Sequence, residues 1–130
     1  MLGSLLLSGC PTTQQRLMDS DQSQVGLRQI QGRIFETSDQ QKTLRTVIAT
    51  LQDLEFVIDK ADTNLGVVSA TKLKGYALKM TVTVNTHGDK QMKVRANAQY
   101  NVAPVTDPEP YQNFFVALEK AMFLTAQQID

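Results

Sequence analysis

The chain has no tryptophan and only three tyrosines and five phenylalanines. Platforms on which bases or sugars would stack are therefore scarce. It has one cysteine, Cys10, which excludes an internal disulfide and any metal site built from several thiolates. Neither sign of charge is in surplus, with 13 Lys and Arg against 13 Asp and Glu. Wholesale binding to nucleic acid depends on a cationic excess, so no nucleic-acid partner is expected. No apolar run approaches the roughly 20 residues that a membrane-spanning helix needs. No Gly-x-Ser-x-Gly elbow and no glycine-rich phosphate loop occurs. What remains is a chain of 130 residues, long enough for one domain with its own core and too short for two of ordinary size.

The lone cysteine stands at the end of Leu5-Leu6-Leu7-Ser8-Gly9-Cys10. Leu7-Ser8-Gly9-Cys10 resembles the lipobox of bacterial lipoproteins. In that family a diacylglyceryl group is joined to the Cys sulfur and a peptidase cuts just before it. The resemblance implies cleavage between Gly9 and Cys10 and lipid on Cys10. Small residues before the cut fit a narrow peptidase site, and a thiolate is the nucleophile that accepts the lipid. No Lys or Arg precedes Cys10 and the apolar stretch is short, which puts the expected start of a full leader upstream of Met1. Asp after the Cys resembles an inner-membrane retention signal. Pro11 stands there instead, so the resemblance implies the periplasmic face of the outer membrane. Residues 1–9 are thus expected to be the remnant of a signal peptide, and 10–27 a lipidated Cys and tether. Gln, Ser, Thr and Asp dominate 11–27, too polar a stretch to offset its ordering entropy by burial. As a random coil it would reach roughly 20–25 Å.

A folded domain is expected over 28–130. Residues 29–36 alternate weakly and predict a first strand. Ser38 with Gln41 forms a capping-box pattern. After it Leu44, Val47, Ile48, Leu51 and Leu54 recur at helical spacing. Phe56-Val57-Ile58 predicts strand two, Asp62-Thr63-Asn64 a turn, and 66–72 strand three, broken at Lys74-Gly75. The clearest alternation follows. Leu78, Met80, Val82 and Val84, then Met92, Val94, Ala96, Ala98, Tyr100 and Val102, form one apolar face. Pairing Val84 with Met92 predicts a hairpin with a three-residue loop around Gly88. Three prolines at 104, 108 and 110 speak against a strand at 103–110. Asp107 and Pro108 predict the start of a closing helix from about Glu109 to Gln127, with Tyr111, Phe114, Phe115, Leu118, Met122 and Phe123 as its apolar stripe. The order β-α-β-β-β-β-α predicts an α+β two-layer sandwich, an antiparallel sheet of about five strands covered on one face by two helices.

The run Leu51–Lys60, followed by Ala61–Lys72 with its Asp-rich turn and Gly66-Val67 strand start, resembles the helix-grip domains of the lipoprotein C component of the outer-membrane β-barrel assembly machinery. The likeness covers about residues 38–123 in pattern, with close matches in 51–72. That component has two such domains where this chain has one. The resemblance implies a helix laid on an antiparallel sheet, and a lipoprotein of the cell envelope.

No catalytic set emerges. His87, the only histidine, sits at the predicted hairpin tip beside Asp89, too few ligands for an ordered metal site. No cofactor is expected. Asp59 and Asp62, with Asp53 and Glu55 nearby, are read as turn capping and acidic surface rather than as an acid–base pair. Between 68 and 100 the cations Lys72, Lys74, Lys79, Lys90, Lys93 and Arg95 face Asp89 alone. Lys79, Lys93 and Arg95 are expected on the uncovered sheet face. They serve there either as a solubilising surface or as a docking site for an acidic partner, with segment 53–62 elsewhere on the domain. The expected function is a non-catalytic envelope lipoprotein. Its partners are the membrane, through Cys10, and other envelope proteins. A carrier of a small apolar ligand held between helix and sheet is the alternative.

Overall fold

The computed structural model describes residues 26–73 and 77–126. The element order is β1 (Gly32–Phe35), α1 (Gln40–Asp53), β2 (Val57–Asp62), β3 (Val67–Leu73), β4 (Ala77–Thr86), β5 (Met92–Tyr100), β6 (Ala103–Pro104) and α2 (Pro108–Ala126). The strands lie in the order β1-β5-β4-β3-β2, with β6 also beside β5, and every pairing is antiparallel. Both helices lie on one face of the sheet and pack on each other. This is the expected α+β sandwich, with six strands once the two-residue β6 is counted.

Helix α1 forms because its buried residues recur on one side. Its start lies one residue beyond the expected cap. The Asp39 carboxylate accepts from the Lys42 amide at 3.0 Å, and Thr37 Oγ1 accepts from the Asp39 amide at 3.1 Å. Its end is a reversal in which Phe56 N–H donates to Leu51 O at 2.9 Å and Glu55 N–H to Gln52 O at 3.0 Å. Glu55 takes the left-handed conformation, φ 74°, that such a cap requires. The chain is thereby turned into β2, and Phe56 is buried.

Three threonines of α1 were not part of the expected stripe. Thr43, Thr46 and Thr50 are buried. Their hydroxyls donate to the carbonyls of Asp39, Lys42 and Thr46, at 2.8, 2.8 and 2.7 Å. Each returns its polar group to its own helix, so burial leaves nothing unpaired.

The apolar face of the hairpin is as expected from Leu78 to Ala98, where every second residue is buried. The register is not. Val84 pairs with Val94, and Thr86 with Met92. The connection is therefore 87–91, closed by His87 N–H donating to Gln91 O at 2.8 Å. The slip of two residues keeps every side chain on its expected face, because the strand repeat is two. The stripe also ends early, with Val102 exposed in the turn after β5.

Two further expectations are corrected. Of the expected strand 29–36, residues 29 and 30 belong to a helical turn over 26–30, and β1 starts only at Gly32. Leu27 and Ile30, three apart, both pack against the core from that turn. Ala103–Pro104 does pair with β5. A proline is tolerated there because β6 is an edge strand, where no neighbour needs its missing N–H. In α2, Asp107 caps as expected, its Oδ1 accepting from Glu109 N–H at 3.0 Å. Tyr111, Phe114, Phe115 and Leu118 are buried, whereas Phe123 is 64% exposed.

The outer side of β5 is shared by two short strands, β1 against 92–95 and β6 against 99–100. Tyr111 fills the gap between them. Its hydroxyl donates to Val105 O at 2.6 Å, and accepts from Ala98 N–H at 3.3 Å and from Gln31 Nε2 at 3.2 Å. Gly66 makes a second tie, its carbonyl accepting from Val84 N–H at 2.7 Å. Its φ is +72°, and a Cβ there would run into the Val84 carbonyl oxygen and the Gln40 amide.

Tyr111→Phe is expected to destabilise by about 1–3 kcal/mol, the usual effect of leaving buried backbone groups unsatisfied. Gly66→Ala combines backbone strain with overpacking and is expected to fall in the same range, about 1–3 kcal/mol. Urea titration monitored by circular dichroism measures both.

Candidate functional site

Gly9 and Cys10, the expected cleavage and lipidation residues, lie outside the described residues. So does Lys74. The expected partner-binding residues are within them, and the sheet fixes their arrangement.

Lys93 and Arg95 are alternate residues of β5, with side chains on the face away from the helices and about 7 Å apart along the strand. Their neighbours across β4 are Asn85 and Thr83, and across β1 Ile34 and Gly32. Lys79 shares the face but not the neighbourhood. It stands opposite Gln99, about 13–14 Å along the strand from the Arg95 row. Its other neighbour is Thr71 of β3, whose hydroxyl donates to Asp59 Oδ2. Lys79 therefore stands about one strand spacing, roughly 5 Å, from the threonine that holds a carboxylate. Lys93 and Arg95 are three strands from β2. Among the described residues the only ion pair is Arg33 with Glu119, on the other side of the sheet. Lys93 and Arg95 form one cationic pair, beside the loop that carries exposed Lys90. Lys93 stands two residues from Gln91, whose side-chain amide donates to the Glu36 carboxylate at 2.7 Å.

The acidic segment 53–62, expected elsewhere on the domain, is divided: Asp53 and Glu55 stay at the end of α1, whereas its later residues share the open face. Lys60 opposes Ser69, and Asp62 opposes Val67, both on the uncovered face. Asp59 reaches the same face through Thr71. Charges of both signs therefore occur at each end of the sheet, Lys93 and Arg95 with Glu36 at the β1–β5 end and Lys60 with Asp59 and Asp62 on β2. Asp62 Oδ1 accepts from the amides of Asn64 and Leu65 at 3.0 and 2.9 Å, which fixes the β2–β3 turn. His87 is exposed in the hairpin loop. Among the described residues no three His, Cys, Asp or Glu side chains gather where a metal ion would be held.

On the helix side, Phe114 and Phe115 are fully buried and meet edge to face with centroids 5.0 Å apart. They are part of the packed core. A cleft of about 390 Å³ opens where the end of β1 meets the start of α1 and the end of α2, with Ile34, Phe35, Met122 and Phe123 as apolar walls and Lys42 and Glu119 at the rim. Sequence reasoning missed it. The available signal was Phe123 followed by Leu124, which widens the apolar stripe beyond what a core-facing helix needs. No described helix is long and apolar enough to cross a membrane.

Substituting half-buried Lys93 and exposed Arg95 on the open sheet face should leave the fold intact. Lys93→Glu with Arg95→Glu is expected to change stability by no more than about 0.5 kcal/mol per site, as read by thermal melting.

No protein-family model matches this chain, and a search of curated proteins finds no relative.

Proposed function

We propose that this chain is a non-catalytic lipoprotein of the bacterial cell envelope, held at the periplasmic face of the outer membrane by acyl chains on Cys10. It binds acidic surfaces of other envelope proteins through the open face of its sheet. The observation that carries the reading is Leu7-Ser8-Gly9-Cys10 followed at once by the polar stretch 11–27. Each buried methylene of an acyl chain contributes about 0.8 kcal/mol, and two chains anchor stably where one does not. The likeness of 51–72 to helix-grip domains of an outer-membrane assembly lipoprotein supports the compartment. Lys93 and Arg95, without an ion-pairing partner among the described residues, support an acidic partner, since complementary charge steers encounter and rejects wrong surfaces.

A second reading has its own observation. The cleft beside Phe123 has the size and apolar walls of a small-ligand site, which supports a carrier of an apolar molecule as that second reading. Native mass spectrometry separates the two, because a carrier retains a co-purifying ligand and Phe123→Asp releases it.

Intact-mass analysis of mature protein from its native host tests the anchor. A chain beginning at Cys10 with a diacylglyceryl group is expected, and an unmodified thiol there removes the proposal. In-cell crosslinking tests the face. Lys79→Glu, Lys93→Glu and Arg95→Glu together are expected to abolish partner recovery, with the last two accounting for most of the loss. Undiminished recovery from the triple variant would refute docking through this face.

A further inference from the structure

The two edges of the sheet are protected to different degrees. On the β5 side the outer strands are β1, four residues long, and β6, two residues long and ending in a proline. Short strands and proline blunt an edge against further pairing. At the other side stands β2, six residues with neither proline nor glycine. Among the described residues nothing pairs with its outer side. Val57, Asp59, Lys60 and Ala61 are all exposed, Val57 by 70%.

The bulge in β2 sets which side each residue occupies. Val57, Lys60 and Asp62 oppose Thr71, Ser69 and Val67 on the open face, while Ile58 and Ala61 oppose Ala70 and Val68 on the helix face. Asp59 is the extra residue at the register shift, and its contact with Thr71 keeps it on the open face. The faces therefore read open, helix, open, open, helix, open, which is the same in both directions.

We infer that β2 is the interface for a second copy of this chain, paired antiparallel so that Asp59 faces Lys60 of the second copy and Lys60 faces its Asp59. In this register Ile58 meets Ala61 on the helix side, and Val57 meets Asp62 on the open side. Every residue meets one from the same face. The extra residue causes no mismatch, because both strands carry it. Two opposite-charge pairs form across the two-fold axis, the arrangement that stabilises cross-strand neighbours. The alternatives fail on the same grounds. A slip of one residue sets Lys60 against Lys60 or Asp59 against Asp59 and mixes the two faces. A parallel in-register pair stacks like charge on like charge. The charged residues of this edge thus block other registers and permit this one, which continues the sheet across two copies.

The inference goes beyond the proposed function and does not depend on the acyl anchor, since it is read on unlipidated protein. The full chain carrying Cys10→Ser is examined by light scattering after size exclusion. A mass of twice the 14.4 kDa of one chain is expected. Lys60→Asp alone and Asp59→Lys alone are each expected to give monomers, because each sets like charges against one another, with far-UV circular dichroism unchanged at these exposed sites. Mixing the two variants restores the opposite-charge pairs and is expected to recover the doubled mass as a heterodimer. A Cys10→Ser chain that stays monomeric at every concentration overturns the inference. So does a dimer that survives either variant, or a mixture that remains monomeric.

Discussion

One hydroxyl group holds the two halves of the sheet edge together. Strand β5 is the only long strand whose outer side is covered piecemeal, by β1 at one end and β6 at the other. Without a third partner the backbone between them would be buried and unsatisfied, at a cost of about 1–3 kcal/mol for each such group. Tyr111 reaches that gap from α2. In doing so it links the helix to β5, to the segment before β1 and to the segment after β6. The position of α2 over the sheet, and with it the covering of the core, follows from this contact as much as from the apolar stripe of the helix. Among the described residues no buried side-chain nitrogen or oxygen is left without a partner.

Which face each residue occupies was legible in the sequence wherever the repeat was strict. From Leu78 to Val84 and Met92 to Ala98 the alternation alone gave every inward residue. Register was less legible, because a slip by two leaves that alternation unchanged. The loop that decides it, 87–91, has one glycine and several turn lengths open to it. The segment 29–36 misled because Leu27 and Ile30 satisfy a helical spacing, while the extended pattern of 32–35 begins only afterwards. The proline-rich stretch misled because the objection to proline holds for inner strands and lapses at an edge.

The candidate site was legible residue by residue but not as a neighbourhood. That Lys79, Lys93 and Arg95 share a face follows from alternation. That Lys79 stands apart from the other two, and nearer to Asp59, follows from the strand order, which no local pattern encodes. The same order brings β2 to the outside with its open face aligned to that of β5. The sequence placed its carboxylates elsewhere because nearness along the chain says little about nearness across a sheet.

The threonine row on α1 has a consequence for how the two helices meet. Thr46 and Ala49 of α1 and Ala121 and Thr125 of α2 line a shared shallow cleft. The hydroxyls of Thr43, Thr46 and Thr50 are already engaged within their own helix, so they ask nothing directional of the helix opposite. Small side chains permit close approach, and a surface with no outward hydrogen-bonding demand does not fix the axial position of its neighbour. Contour sets how closely the helices approach, while the axial position of α2 is fixed from the sheet side, by the Tyr111 hydroxyl and by Glu119 against Arg33.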